Sequence, residues 1–422
     1  LASFLASFWE FEREQPFLHS HALLGNLPAP SEWAIIYADW YKMSDTVNQQ
    51  YIDWLSQVCN AQVLDTQMIQ PLWSGYGACF RATLGYPNNT FSKNHDERSP
   101  FQESQYHQAQ QNPLGAQQGG DEAALKVVVK CAIPPHRLSH PKGWNGEASH
   151  NRKCQSFKVE SSFYSDVQVQ TDASCRTAKC LGHSQQGEAS LLVMEDLAHS
   201  GYSRTASSLT AAQCNTVLKW LANFHARFLN VKDEFDGRNI QLWPEGTYWH
   251  LATRKDEFHA MSDGLLKQHA VAIATTLGDA NFQTLVHGDA KVANFCFTDD
   301  FSDCSAVDFQ YVGYGAGIKD VAYFLGSALS TQTHMKHRDA LLDNYFQALE
   351  DALHTRLANN DSSACFKRAD IALIIAEWKY LYPFACADFY RFLAGWSPEH
   401  WKIDEELQYQ TDIALSILER TA

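Results

Sequence analysis

Positive charge is scarce in this chain. Against 48 Asp and Glu stand only 33 Lys and Arg, a formal net charge of −15 over 422 residues, and the cations form no cluster. A nucleic-acid surface gathers cations to meet phosphates, so that class of partner is excluded, and the acidic balance favours cationic or neutral ligands. Long apolar runs are missing too: none approaches the roughly 18 to 20 residues that span a bilayer. No basic start followed by an apolar segment and a cleavage site opens the sequence. Cysteine is present but unframed, because eleven is an odd count and the spacing is irregular. A protein of the reducing cytoplasm, without membrane contact, is expected. What the chain does have is apolar bulk: 45% hydrophobic residues, 13% aromatic, and twelve Trp. That is a globular composition with a substantial core, and at this length two lobes are the natural arrangement.

The order of elements supports two lobes. Trp33, Ile36, Trp40, Tyr51, Ile52, Leu55 and Val58 are spaced for one apolar helix face within residues 30–60. "QMIQPLWSGYGACFRATLGY" reads as two strands joined at Gly75-Tyr76-Gly77. Residues 87–121, poor in apolar side chains, read as a flexible insertion. "ALKVVVKCAIP", ending its apolar run at Lys130, reads as a buried strand, and 135–152 as a second polar insertion. A helix over 153–167 and a hairpin turning at Gln-Gly-Glu complete five strands, with one helix between the third and fourth. After Leu197 the pattern becomes helical: Leu218, Leu221, Phe224 and Phe228 share a face, and 364–422 reads as two or more helices. The expectation is an α+β chain with a β-rich lobe over 1–197 and a helical lobe over 198–422.

"LVHGDAKVANFCF" interrupts a strand-like run with groups that are costly to bury. Phosphoryl transfer from ATP explains that pattern. It asks for a carboxylate to orient the acceptor hydroxyl, oxygen ligands for Mg2+, a cation on the phosphates and a glycine cover. His287-Gly288-Asp289, followed five residues on by Asn294, has the spacing of a kinase catalytic loop, with Asp289 as base and Asn294 as a metal ligand. Asp308, at the end of the short apolar run in "AVDFQ", supplies the second, principal oxygen ligand. Upstream, Lys130 is placed to grip the phosphates, Glu160 to pair with it, and Gly75 and Gly77 to cover them. The backbone around Met194, Glu195 and Leu197 is the expected seat of adenine.

With these segments in view, the chain resembles the aminoglycoside phosphotransferase and choline kinase superfamily of protein-kinase-like folds. Within it the ecdysteroid kinase-like group is most similar, through "HGDAKVANFCF", "AVDFQYVGYGAGIKDVAYFL", "LLVMEDLAHSGY", "WLANFHARF" and "VESSFY". The resemblance implies a two-lobed fold, with ATP and Mg2+ as cofactors. It also implies that Asp320 holds the catalytic loop, and that His287 organises backbone and is not itself the base. Where that group usually carries Trp, this chain has Lys291, which takes the place of a lysine near the transferred phosphate in protein serine/threonine kinases. Eleven residues between Asp308 and Asp320, with no Ala-Pro-Glu after them, leave no room for a peptide-docking activation segment. The expected acceptor is therefore a hydroxylated small molecule, choline-, aminoglycoside- or steroid-like. Asp388, Tyr390 and Trp396 are candidates to receive it, or are ordinary packing residues. His225 reads as a packed core histidine, and Cys175, Cys180 and His183 as a chance grouping. The competing function is a nucleotide-binding pseudokinase, disfavoured because base, metal ligands and lysine are all present.

Overall fold

The structure is a computed structural model that describes residues 46–72, 75–86, 124–135, 147–359 and 364–421. The expected insertion at 87–121 and the apolar face at Trp33, Ile36 and Trp40 lie outside the described residues. Two compact units emerge: the described residues up to Cys154 together with Lys179–Ser200, and Gln155–Ala178 together with everything from Gly201 onward.

The first unit is built on a five-stranded antiparallel sheet in the order β1-β2-β3-β5-β4. Its strands are β1 (Gln62–Leu72), β2 (Gly77–Gly85), β3 (Ala124–Ala132), β4 (Cys180–Gln186) and β5 (Ala189–Glu195). Side chains alternate across a strand, so each strand gives one face to the core. From β2 that face is Ala78, Phe80, Ala82 and Leu84; from β3 it is Val127, Val129 and Cys131; from β5, Leu191 and Val193. The helix Gln49–Cys59 covers them with Trp54, Leu55 and Cys59. The apolar run of β3 is therefore buried on one face only, and Val128 and Lys130 are half-buried on the other. The hairpin turns between Gln186 and Ala189, as the Gln-Gly-Glu signal indicates.

One boundary is corrected. The helix expected from residue 153 begins at Glu147, so 147–152 belong to it and not to an insertion, and it ends at Ser162 in a wider turn over Phe163–Val167. Its first turns, "EASHNR", carry no apolar stripe to signal helix.

The second unit is helical. Helix Ala211–Arg227 packs along Thr331–Ala358, and Asp370–Trp396 packs on Ile318–Ala328 and Glu405–Thr421. The first of these starts in a reciprocal cap, Thr210 with Gln213, and buries Leu218, Leu221, Phe224 and His225. Two small antiparallel pairs lie in this unit: β6 (Thr284–Val286) with β9 (Gly313–Gly315), and β7 (Phe295–Phe297) with β8 (Cys304–Ala306). These strands set the candidate catalytic segments side by side. Among the described residues no helix is long and apolar enough to cross a membrane.

Candidate active site

The segment between β6 and β7 is held by its main chain. Asp320, fully buried near the start of helix Ile318–Ala328, accepts hydrogen bonds from the backbone N–H of His287 at 2.5 Å and of Gly288 at 3.0 Å. Its Oδ2 also lies 3.2 Å from Nε2 of the buried His225, whose Nδ1 is 2.9 Å from the Tyr345 hydroxyl. Asp320 thus has the loop-holding place expected of it, and His225 is a packed histidine with a partner on each ring nitrogen. His287 Nε2 is 3.0 Å from the Val307 carbonyl, and its Nδ1 accepts from the Asp289 N–H at 3.3 Å. The ring therefore ties the loop to the segment before Asp308. Gly288 turns the chain with φ +79°, and a Cβ there would stand 2.0 Å from the Tyr311 carbonyl oxygen, so no larger residue fits.

Both oxygens of the Asp289 carboxylate are oriented. Oδ2 accepts from Lys291 Nζ and Asn294 Nδ2, each at 3.1 Å, and Oδ1 accepts from the Tyr323 hydroxyl at 3.2 Å. Tyr248 donates to that same hydroxyl at 3.3 Å, which fixes its direction. Burial opposes the charge on Lys291, but Asp289 and Asp308 outweigh it, so its pKa is raised and the ammonium is held. Burial beside Tyr248 and Asp289 pushes the Tyr323 phenol well above its ordinary value, so it stays a donor.

Asn294 donates its amide nitrogen to the Asp289 carbonyl oxygen at 2.8 Å as well as to the carboxylate, so its Oδ1 is left as an oxygen donor. Asp308 adopts φ +68°, the left-handed region that is strained for a non-glycine residue and recurs at functional sites. The next residue, Phe309, anchors the bend: it is fully buried, stacks on Phe163 at 3.8 Å and lies 4.6 Å from His287. Val307 N–H donates to the Asn294 carbonyl at 2.9 Å, bringing the Asn294 and Asp308 segments together. Two hard oxygen donors suit Mg2+, which keeps several waters and relies on phosphate oxygens. Among the described residues no cluster of three His, Cys, Asp or Glu side chains could hold a metal.

In the sheet unit, Gly77 opens β2 at φ +137°, where a Cβ would meet the Cys131 carbonyl oxygen at 2.0 Å. Close strand packing alone demands glycine there; Gly75 also has positive φ but faces open space. Lys130 pairs in register with Cys79 and Leu192. Met194 and Leu197 are buried. The Glu195 carboxylate accepts from the Lys179 N–H and the Ser200 hydroxyl, which fastens the chain beyond β5. Asp196, unremarked in the sequence, accepts from Arg81 Nε at 2.9 Å and caps the turn through the Ala198 N–H. Glu160 is buried on the helix Glu147–Ser162.

The expected acceptor residues fare differently. Asp388 is buried and its Oδ1 takes Arg391 Nε at 3.0 Å and Nη2 at 2.8 Å, an internal pair one helical turn apart. Its Oδ2, also buried, has no hydrogen-bond partner, so the pair with Arg391 leaves one carboxylate oxygen uncommitted. Trp396 stacks on Phe392 at 5.7 Å, and Tyr390 is half-buried, its phenol raised by burial and by Asp412. Tyr248, Tyr323 and Lys402, which sequence reading passed over, are the side chains gathered near Asp289. Their only signal in the chain is "KDVAYFL", which carries Tyr323 three residues after Asp320.

A profile of the ecdysteroid kinase-like family matches residues 141–237 and 247–357. No curated protein matches the chain significantly. Solved structures similar to it include an amicoumacin kinase in complex with AMP-PNP, Ca2+ and Ami, 11% identical over 91% of this chain and 96% of that one, TM-score 0.41. A Plasmodium vivax ethanolamine kinase is 11% identical over 85% of this chain and 84% of that one, TM-score 0.39. An aminoglycoside phosphotransferase mutant in ternary complex with ADP and hygromycin B is 10% identical over 79% and 97%, TM-score 0.35. At such scores the likeness is one of broad outline. The matched segments take in the loop at Asp289 and the bend at Asp308, and over them the chain is similar to the ecdysteroid kinase-like family.

Proposed function

We propose that this protein is an ATP- and Mg2+-dependent phosphotransferase that moves the γ-phosphate to a hydroxyl of a small molecule. The observation that carries the reading is Asp289, a carboxylate with both oxygens oriented by Lys291, Asn294 and Tyr323 on a loop fixed by Asp320. Asp289 accepts the hydroxyl proton as the acceptor oxygen attacks, and its fixed direction supplies the positioning on which this chemistry depends. Lys291 contributes positive charge where the transferred group gains negative charge. Asn294 and Asp308 would hold Mg2+, which when bound neutralises the phosphate oxygens. In the sheet unit, Gly75, Gly77 and Lys130 would meet the phosphates, with Glu160 as the carboxylate partner of that lysine, and the backbone of Met194, Glu195 and Leu197 would take adenine. Similarity to the ecdysteroid kinase-like family supports this at the level of a kinase-like protein.

The test is ATP consumption stimulated by a panel of hydroxylated compounds, with nucleotide binding measured in parallel. Asp289→Asn is expected to lower turnover by about 10² to 10⁴ fold with nucleotide affinity kept. Asp308→Ala is expected to weaken Mg2+-ATP itself. Near-normal turnover in Asp289→Asn would refute the assignment, and nucleotide binding without turnover on any compound would point to a pseudokinase.

A further inference from the structure

Lys402 lies in the connection between helices Asp370–Trp396 and Glu405–Thr421, and its ammonium sits among rings. Nζ is 4.8 Å from the centre of Tyr323, 5.5 Å from Trp401 and 5.9 Å from Phe389. Tyr323 is the phenol that donates to Asp289, so this ammonium stands over a ring whose hydroxyl touches the proposed base. Among the described residues, Lys402 Nζ has no hydrogen bond or ion pair. The carboxylate that acts on it is Asp289, whose oxygens already take Lys291, Asn294 and Tyr323. Burial and the charge of Lys291 lower the Lys402 pKa to about 8, with Asp289 opposing them. A half-buried cation that meets ring faces and makes no ion pair is incompletely compensated, since a ring face attracts an ammonium less than a carboxylate does. Lys291 adds a second positive charge beside the same Asp289.

We infer that Lys402 selects the acceptor by charge: it favours hydroxylated compounds bearing an anionic group, admits uncharged ones and rejects those bearing an ammonium. This reverses what the acidic composition of the whole chain suggests, and it rests on the phosphotransfer reading for the role of Asp289. The aromatic rings would hold an apolar body, and the ammonium would meet a carboxylate, sulfate or phosphate carried on it.

Three probes of one shape and different charge separate the outcomes: choline, its carbon isostere with a quaternary carbon in place of nitrogen, and tert-butylacetate. Acetylation of Lys402 by limiting acetic anhydride, followed by peptide mass spectrometry of the full chain, reads occupancy without any turnover. Tert-butylacetate is expected to slow labelling about threefold or more, the isostere less, and choline not at all. Equal protection by choline, or protection by none of the three, would overturn the inference. In ATP consumption, the isostere is expected to exceed choline by about tenfold in kcat/KM, and Lys402→Glu to invert that order with Lys402→Gln between. Choline preferred by the unaltered chain would sink the charge selection and leave phosphotransfer standing. Charge-ordered protection without ATP consumption would do the reverse.

Discussion

Asp320 and Asp289 are two carboxylates with opposite tasks, one holding the loop and one carried on it. Asp320 accepts two main-chain N–H groups in a fully buried setting, and an amide in its place offers one oxygen and a donor that faces another donor. Asp320→Asn is therefore expected to lower the stability of the helical unit by about 3 kcal/mol, read as a shifted urea midpoint. Tyr323→Phe removes only the hydrogen bond to Asp289 Oδ1 and keeps the ring under Lys402. It should reduce turnover by roughly tenfold at unchanged nucleotide affinity, a loss of about 1–1.5 kcal/mol in orientation. His287, Asp289, Asn294 and Asp308 were legible in the sequence because their geometry is local: short spacing on one loop and one bend fixes them. Tyr323 and Lys402 were not, since they reach the site through the packing of helices. The pairing of Asp388 with Arg391 is visible only once the segment is known to be helical, three residues being one turn.

At the scale of elements, the cap of helix Ala211–Arg227 offers a clean test. Thr210 Oγ1 accepts from the Gln213 N–H at 3.2 Å and the Gln213 side chain accepts from the Thr210 N–H at 3.0 Å. Thr210→Ala should cost about 1 kcal/mol by urea denaturation, with little change in turnover if His225, far along the helix, keeps its partners. The alternating strands and the apolar-faced helices could be read because periodicity records which side is buried. Glu147–Asn151 could not, being polar all round. Strands β6 to β9 have three residues each, too few to display a period, and helix Thr331–Ala358 went unread.

For the molecule as a whole, buried histidines set the response to acid. Burial, then Lys319, lowers His250 to about 3; burial, then Lys402, lowers His400 to about 4; burial also lowers His334. In the unfolded chain such rings titrate near about 6.5. Because the folded values are depressed, the unfolded chain binds more protons in between, so this stability is full above about pH 6.5 and is lost progressively as pH falls from there to about 4 for His400 and about 3 for His250. Each ring contributes a slope of up to about 1.4 kcal/mol per pH unit in that window. Urea midpoints should fall steadily from about pH 6.5 to about 4.5, and less steeply in His250→Gln.

The fastening of the loop at His287 and Gly288 to a carboxylate on helix Ile318–Ala328 has a practical side. A molecule whose helical packing has loosened loses the placement of Asp289, while the core of the sheet unit is drawn from its own strands and the helix Gln49–Cys59. Partially damaged preparations would then fall silent in catalysis before they lose their β-sheet signal. Turnover per milligram, set against that signal, becomes a quality gauge: it counts the molecules in which Asp320 still grips its two amides.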